Sequence, residues 1–486
     1  KHHYQYYLKA GTGDEEIAAR QTAKAELEAE LSLVRLCRKY DVPVTVSLQE
    51  QLNLQNMTVP VEYMQEYTEL LTRLYPAQKS STVRNSVYRH LVEVEMPWTI
   101  TTARMEMTGL KIDLEAAKQV EQETMQKVAK LEAQLAEMGI QNPRSTQQVH
   151  QFFEREKIGD HFKGRSGQNL DKRVLERNLD VHAAIKPLLE IRKAYSVIDS
   201  GILGRRCIDA DGRVHPDYIQ LGAHTGRETC GKPNMLGLPG SIKNLIIPEE
   251  GYGIVEVDLC QIEVGVAASV YSDDNLLRMF NEGDVYSRMA QEFYRNCLDQ
   301  ESLSLDSHEF KKQHPDLRER LKTCTLLVIY GGGVGGLASL LGVSRYKAED
   351  FMSRFYHLFP ALLENKKRQV VLSGRRGYSE CASGLRRYRG RDGKVSSWEE
   401  RWMINFPVQA GAMVAFKGAG NKLDKLLTGY GARLILPLHD AYWVEVPLRA
   451  INEVVDLVRQ VMVQEVRACY AGLNPKIKCS DRKEDG

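Results

Sequence analysis

"LILPLHDAYWVEVP", Leu434 to Pro447, reads as two apolar strand-like segments with His439 and Asp440 between them. Leu434–Leu438 and Tyr442–Val446 predict a tight hairpin with an acid at its tip. Pro437 puts the first strand at a sheet edge or bends it, because proline cannot donate to a ladder. A carboxylate beside that much hydrocarbon costs several kcal/mol unless something pairs with it. Asp440 either shapes the turn or holds a cation.

A second acid has a complementary setting. In "GIVEVDLCQIEVGVAAS", Gly253–Ser269, Asp258 ends a β-prone run, Ile254–Val257, before an apolar helix-like segment. Such an acid is a helix cap, a surface charge or a metal ligand. The two acids are far apart in sequence, so only the fold can bring them together. Paired, they could hold two Mg²⁺ ions, which favour oxygen ligands and share them with substrate phosphates.

The third piece is "RERLKTCTLLVIYGGGVGGLA", Arg318–Ala338. Arg318, Lys322, Leu326 and Tyr330 are spaced by four, and each step turns about 40° and rises about 6 Å on a helix. They form one stripe. Its cations could reach neighbouring phosphates of a triphosphate, with a ring beyond them for a base to stack on. A solvated Arg/Lys face is the plain alternative. Gly331, Gly333 and Gly336 also spell G-x-G-x-x-G, a dinucleotide-binding turn. The run before them continues a helical pattern, however, and Glu349 and Asp350 come too early for the ribose acid.

Composition sets the bounds. The 486 residues are 43% hydrophobic and 27% charged, so two or three ordinary globular domains are expected. A net charge of +2 neither advertises nor excludes nucleic acid, since a basic groove can coexist with acids elsewhere. Nine cysteines without a C-x-x-C pair read as reduced thiols inside a cell. No apolar stretch is long enough for a bilayer, and no signal peptide is visible. The chain opens on Lys1, so its start reads as a processed or truncated end. Ala19–Tyr40 and Gln49–Pro76 have helical texture, and Ser80–Ser81 suggests a linker. Ala116–Gly139 is a long charged amphipathic helix, read as a coiled-coil-like or solvated arm or else as a function-specific one. From about Arg213 onward, short β-rich segments alternate with helices.

These pieces, in this order, resemble the polymerase motifs of family A DNA polymerases, the DNA polymerase I family. "DLCQIE" is similar to D-Y-S-Q-I-E, "RERLKTCTLLVIYG" to R-x3-K-x7-Y-G, and "LHDA" to V-H-D-E. "HTGRETCGKPNMLGLP" (His224–Pro239), "NFPVQA" (Asn405–Ala410) and "VEMPWTITTARMEMTGLKID" (Val94–Asp113) match further family stretches, so the likeness runs from Val94 to the C-terminus. The resemblance implies an α+β right-hand fold, with an antiparallel palm sheet flanked by helices. Residues 1–93 would be a helical segment, the remnant of a 3′–5′ exonuclease domain. Residues 94–212 would contain the thumb, and residues 213–486 the palm and fingers, the fingers at about 270–375. It implies a DNA-directed DNA polymerase acting on primer–template DNA and dNTPs. A single-subunit RNA polymerase and a non-catalytic nucleic-acid scaffold are the alternatives.

The same resemblance implies residue roles. Asp258, Asp440 and the Leu259 carbonyl would bind two Mg²⁺ ions, with Mn²⁺ as a substitute. Arg318 and Lys322 would grip the nucleotide phosphates, Lys322 also serving catalysis. Gln261, Glu263, Tyr286, Leu326 and Tyr330 would line the nucleotide site, with Glu263 rejecting the ribose 2′-hydroxyl. Arg227, Arg401, Asn405, Gln409 and His439 would touch DNA. Arg192–Lys193, Lys366–Lys367–Arg368 and Arg386–Arg391 are further candidates for the duplex backbone.

Departures from the pattern are Leu326 for an aromatic ring, Ala441 for a second acid, Tyr286 for histidine and Ala410–Gly411 for Gly–Thr/Ser. They lean towards a viral source. A monomer is expected inside a bacterium or virus-infected cell, in cytoplasm or nucleoid, with accessory replication proteins and no membrane. No convincing D-x-E pair lies within Lys1–Ser80, so no proofreading is expected of this chain.

Overall fold

The computed structural model describes residues 37, 39–43, 64–164, 167–168, 170–203, 207–231, 233–390 and 393–483. Most of the Ala19–Tyr40 helix and the acid search in Lys1–Ser80 lie outside the described residues. The helices used below are α1 (Met64–Arg84), α2 (Leu114–Glu137), α3 (Ile185–Ile198), α4 (Ile262–Val270), α5 (Val285–Phe293), α6 (Pro315–Ile329), α7 (Val334–Leu341), α8 (Arg345–Leu358), α9 (Pro360–Arg376) and α10 (Ser397–Leu426). The strands are β1 (Tyr252–Cys260), β2 (Tyr378–Glu380), β3 (Arg386–Tyr388), β4 (Arg433–Leu438), β5 (Ala441–Pro447) and β6 (Lys476–Lys483).

The chain forms two compact units. The first comprises Lys1–Trp98, Cys260–Ala419 and Met462–Lys476, and the second Thr99–Leu259, Gly420–Val461 and Ile477–Gly486. The second unit carries a four-stranded sheet in the order β4-β5-β1-β6. Its β5 strand is buried along its whole length, as is most of β1, which reads as an apolar run rather than an alternation. Both sequence signals of Pro437 hold. β4 is the edge strand, and its register against β5 shifts between Leu434 and Leu436. The same unit holds a helical core. Val128, Leu131 and Leu135 of α2 cluster with Leu188, Ile191 and Tyr195 of α3 at helical spacing. The C-terminal half of α2 is therefore a packed helix and not a solvated arm.

The first unit is mainly helical. α1 runs straight through Ser80–Ser81, which correct from linker to helix. Leu70 and Leu74 are buried, and the side chains of Thr82 and Asn85 hydrogen-bond back to the carbonyls of Lys79 and Ser81. Small polar residues of this kind suit a solvated helix face when they satisfy the backbone locally. Deeper in this unit, Lys417 of α10 donates to both carboxylate oxygens of Glu95 at 2.9 Å, their side chains 1% and 4% exposed. His90 contacts the same carboxylate at 3.1 Å and Ser383 at 2.9 Å.

Removing one partner of such a pair leaves the other as an uncompensated buried charge. Glu95→Ala is expected to lower the unfolding free energy by about 3–5 kcal/mol, read from chemical denaturation midpoints.

Candidate active site

The β5–β1 ladder brings the two sequence-distant acids together. Ala441 is the register partner of Asp258, so Asp440 lies one residue from direct opposition, and the Leu259 amide donates to the Asp440 carbonyl at 3.1 Å. Burial and the charge of Asp440 push the Asp258 carboxyl up to about 6, with Glu256 adding and Lys478 opposing. Burial also raises Asp440, against its own backbone amide and the charges of Arg227 and His439. A carboxylate pair raised by desolvation and mutual repulsion is suited to divalent cations, which supply the missing positive charge. The side-chain donors at Asp258 and Asp440 are all oxygen, as Mg²⁺ prefers. Arg227, Asp440 and Lys243 all act electrostatically on His439 within the second unit.

His439 has φ +61° at the first of the two turn residues between β4 and β5, a place where glycine is usual. A non-glycine residue there stores strain that the paired strands must hold. Among the described residues, the one group of three His, Cys, Asp or Glu side chains close enough to share an ion lies elsewhere, at Asp209, Asp211 and His215. Its two acids are exposed, and no motif pointed to it.

The basic stripe is helical as read. α6 opens with Pro315 at its first turn, where a missing amide costs nothing, and is capped by Tyr330. Gly331 follows with φ +74°, and an added Cβ would press on Arg401. The glycines thus follow a helix rather than a strand, which removes the dinucleotide-turn reading. Arg318, Lys322, Leu326 and Tyr330 are all half-buried, as one face of a helix should be.

Arg318 is paired with Asp284 at 2.9 Å and lies over the ring of the buried Tyr286, 5.1 Å from its centroid. Glu319 bridges both cations, at 3.1 Å from Arg318 and 3.0 Å from Lys322. The Tyr330 hydroxyl donates to the buried Glu263. Asn405 donates to the Tyr330 carbonyl at 3.0 Å, Gln409 is half-buried and Arg401 is exposed.

Asp284 is the residue that sequence reading missed. Burial pushes its carboxyl up, but Arg318 and the Ser287 amide and hydroxyl more than offset this and hold it below the usual range. It also accepts from the Gln261 side chain, whose oxygen accepts from the Val285 amide at 3.0 Å. Gln261 thereby keeps its left-handed backbone, φ +59°, at the start of α4. The signal was present as Asp284–Ser287, an N-cap pattern at the head of α5. It reads as capping alone until the fold brings Arg318 to it.

Several duplex candidates are occupied internally. Lys366 is 4% exposed. Arg386 pairs with Glu380 and Arg389 with Glu399, which is 3% exposed. Arg192 donates to the Leu170 carbonyl at 2.5 Å. Lys193, Lys367 and Arg368 are exposed, while Arg387 stacks on Trp402 at 4.5 Å.

The model of DNA polymerase family A matches residues 114–480. The chain belongs to that family. It is 25% identical over 422 residues to DNA polymerase I of Caldicellulosiruptor bescii, covering 83% of this chain and 48% of that one. It is 29% identical over 393 residues to the thermostable DNA polymerase I of Thermus aquaticus, covering 76% and 45%. The chain thus spans about half the length of these relatives. A solved POL domain of Pol1 from M. smegmatis, in complex with DNA primer–template and dNTP, shares the fold. The TM-score is 0.78 at 23% identity, over 93% of this chain and 78% of that one. The expected α+β polymerase fold is therefore the fold of this chain. Family A polymerases use divalent metal ions, and the oxygen donors at Asp258 and Asp440 fit them.

The folded state holds the Asp258 proton more tightly than an unfolded chain does, so the charged form present above about pH 6 opposes folding. Asp258→Asn in metal-free buffer at neutral pH is expected to raise Tm by about 1–3 °C in calorimetry, and excess Mg²⁺ should narrow the difference.

Proposed function

We propose that this chain is a DNA-directed DNA polymerase that adds dNTPs to a primer 3′ end and releases pyrophosphate. The approach of Asp258 on β1 to Asp440, in the turn that leads into the neighbouring β5, carries the reading. The sheet of β1, β4, β5 and β6 serves as palm, residues 94–212 contain the thumb, and the fingers span about 270–375.

Asp258, Asp440 and the Leu259 carbonyl hold two Mg²⁺ ions, for which Mn²⁺ can substitute. Bound there, the ions would lower the pKa of the primer hydroxyl and neutralise the triphosphate. Arg318 and Lys322 take the phosphates. Both are already charge-balanced, and the partners differ. Glu319 is 57% exposed and is displaced cheaply. Asp284 is 14% exposed and stays, keeping Arg318 aimed. Lys322 is therefore the more mobile of the two grips and the one suited to follow charge onto the leaving pyrophosphate.

Glu263, held by Tyr330, crowds the sugar 2′ position, which favours DNA over RNA synthesis. Gln261, Tyr286 and Leu326 complete the nucleotide site. Arg227, Arg401, Asn405, Gln409 and His439 contact primer–template. Such a chain works inside a cell, where primed DNA is. Among the described residues, no helix is long and apolar enough to cross a membrane.

Primer extension tests the reading. Wild-type protein with Mg²⁺ should extend a primed template with dNTPs and poorly with rNTPs. Asp258→Ala and Asp440→Ala should each lose at least about a thousandfold in rate while binding primer–template nearly as before. Glu263→Ala should raise rNTP incorporation. Full activity in either aspartate variant would overturn the metal assignment, and preference for rNTPs would favour an RNA polymerase.

A further inference from the structure

Lys366 of α9 is a buried cation, and no carboxylate acts on it among the described residues. Burial alone pulls its pKa down to about 8. Lys417, still more buried, has Glu95. Lys366 instead donates to the backbone carbonyl of Val328 at 2.5 Å and to the Tyr356 hydroxyl at 3.5 Å, with its ammonium 5.8 Å from the Tyr356 ring.

Val328 lies in the last turn of α6. The carbonyls there lack helical partners and form the negative end of the helix dipole, where a cation is favoured. In the same turn α6 gives way to Gly331–Gly333, and the Val328 carbonyl also accepts from the Gly331 amide at 3.0 Å. Two residues on, Asn405 holds the Tyr330 carbonyl. The end of the helix that presents Leu326 and Tyr330 is thus pinned by two side chains from α9 and α10, just before a glycine-rich segment that could otherwise swing.

We propose that Lys366 is a positioning residue for nucleotide binding, clamping the C-terminal end of α6 so that Leu326 and Tyr330 stay in register with the incoming dNTP. The proposal rests on the polymerase reading above. Its chemistry is electrostatic: a charged donor on a helix-end carbonyl is stronger than a neutral one. Tyr356 of α8 is the titratable side chain in contact with it. Its phenol is pushed up to about 12 by burial, so it stays neutral while Lys366 changes charge. Cys324 of α6 is likewise held up at about 12.

The sign is opposite for function and stability. The unfolded chain binds the Lys366 proton more tightly than the folded one. Deprotonation above about pH 8 therefore relieves a buried charge and stabilises the fold, while weakening the clamp.

The test is steady-state dNTP incorporation by wild type and Lys366→Met on a primed template. Lys366→Met should raise KM for dNTP about tenfold, with kcat within about threefold. Primer–template affinity should be unchanged and Tm equal or higher. Wild-type KM should rise from about pH 7 to pH 9, whereas that of Lys366→Met should stay high and flat. The wild-type profile decides the matter even if the variant does not fold. A flat wild-type KM across that range, or a Lys366→Met enzyme with wild-type KM and profile, overturns the clamp and leaves the polymerase reading intact. Absence of any extension by wild type overturns the polymerase reading and the clamp with it.

Discussion

Two carboxylates held side by side by a β-ladder set the terms for the second unit. The ladder fixes Asp258 against Ala441, and slipping the register by one residue would turn every β5 side chain to the opposite face. The sheet must therefore be rigid enough to hold two like charges together against their repulsion. Its inner residues are suited to that. Trp443, Tyr442, Val444, Ile254 and Val255 are almost wholly buried, and such packing resists small adjustments. The positive φ of His439 belongs to the same balance, since seven residue pairs of the β5–β1 register lie just beyond the turn to hold it.

The first unit handles buried charge differently. Asp284 and Arg318 form an ion pair with further hydrogen bonds from Ser287 and Gln261, and Glu95 and Lys417 form one with His90 alongside. In both, the desolvation cost is offset by a full set of partners, and each ties segments distant in sequence. Lys366 has dipoles only. A cation balanced by a carbonyl and a ring is more weakly held than one balanced by a carboxylate, which is why burial dominates its titration. The contrast separates fixed joints from one that can change state near neutral pH.

How much of this was legible in sequence follows from the range of each interaction. The hairpin and the i, i+4 stripe of α6 are local patterns that stand where their periods placed them, whereas β1 runs on past Asp258 to Cys260, so that acid lies within its strand rather than at its end. Pro437 even announced the edge position of β4. The joints between segments were not legible. Asp284 meets Arg318 across 34 residues, Lys366 meets Val328 across 38, and Glu95 meets Lys417 across 322. Nothing in the run of basic residues in "ENKKRQ" distinguishes a buried clamp from a phosphate contact, since both are basic residues on a helix. The Ser80–Ser81 misreading has the same root. Serine signals a break only when its hydroxyl competes with the helix, and buried Leu70 and Leu74 had already anchored α1.

The replacement at Ala441 gains a meaning that sequence alone could not supply. Its side chain is 3% exposed, and its backbone is the direct register partner of Asp258. The acid that the family resemblance implies at this place would set a third carboxylate against a group whose pKa burial and Asp440 already push up to about 6. With alanine there, the cation-free site carries one charge fewer and repels itself less, so the fold is less strained while empty. If the proposed metal site holds, the same loss leaves fewer negative charges to attract divalent ions, so more of the attraction would come from the phosphates of a bound nucleotide. On the proposed function, the substitution would shift metal binding from a property of the protein towards a property of the protein with its nucleotide.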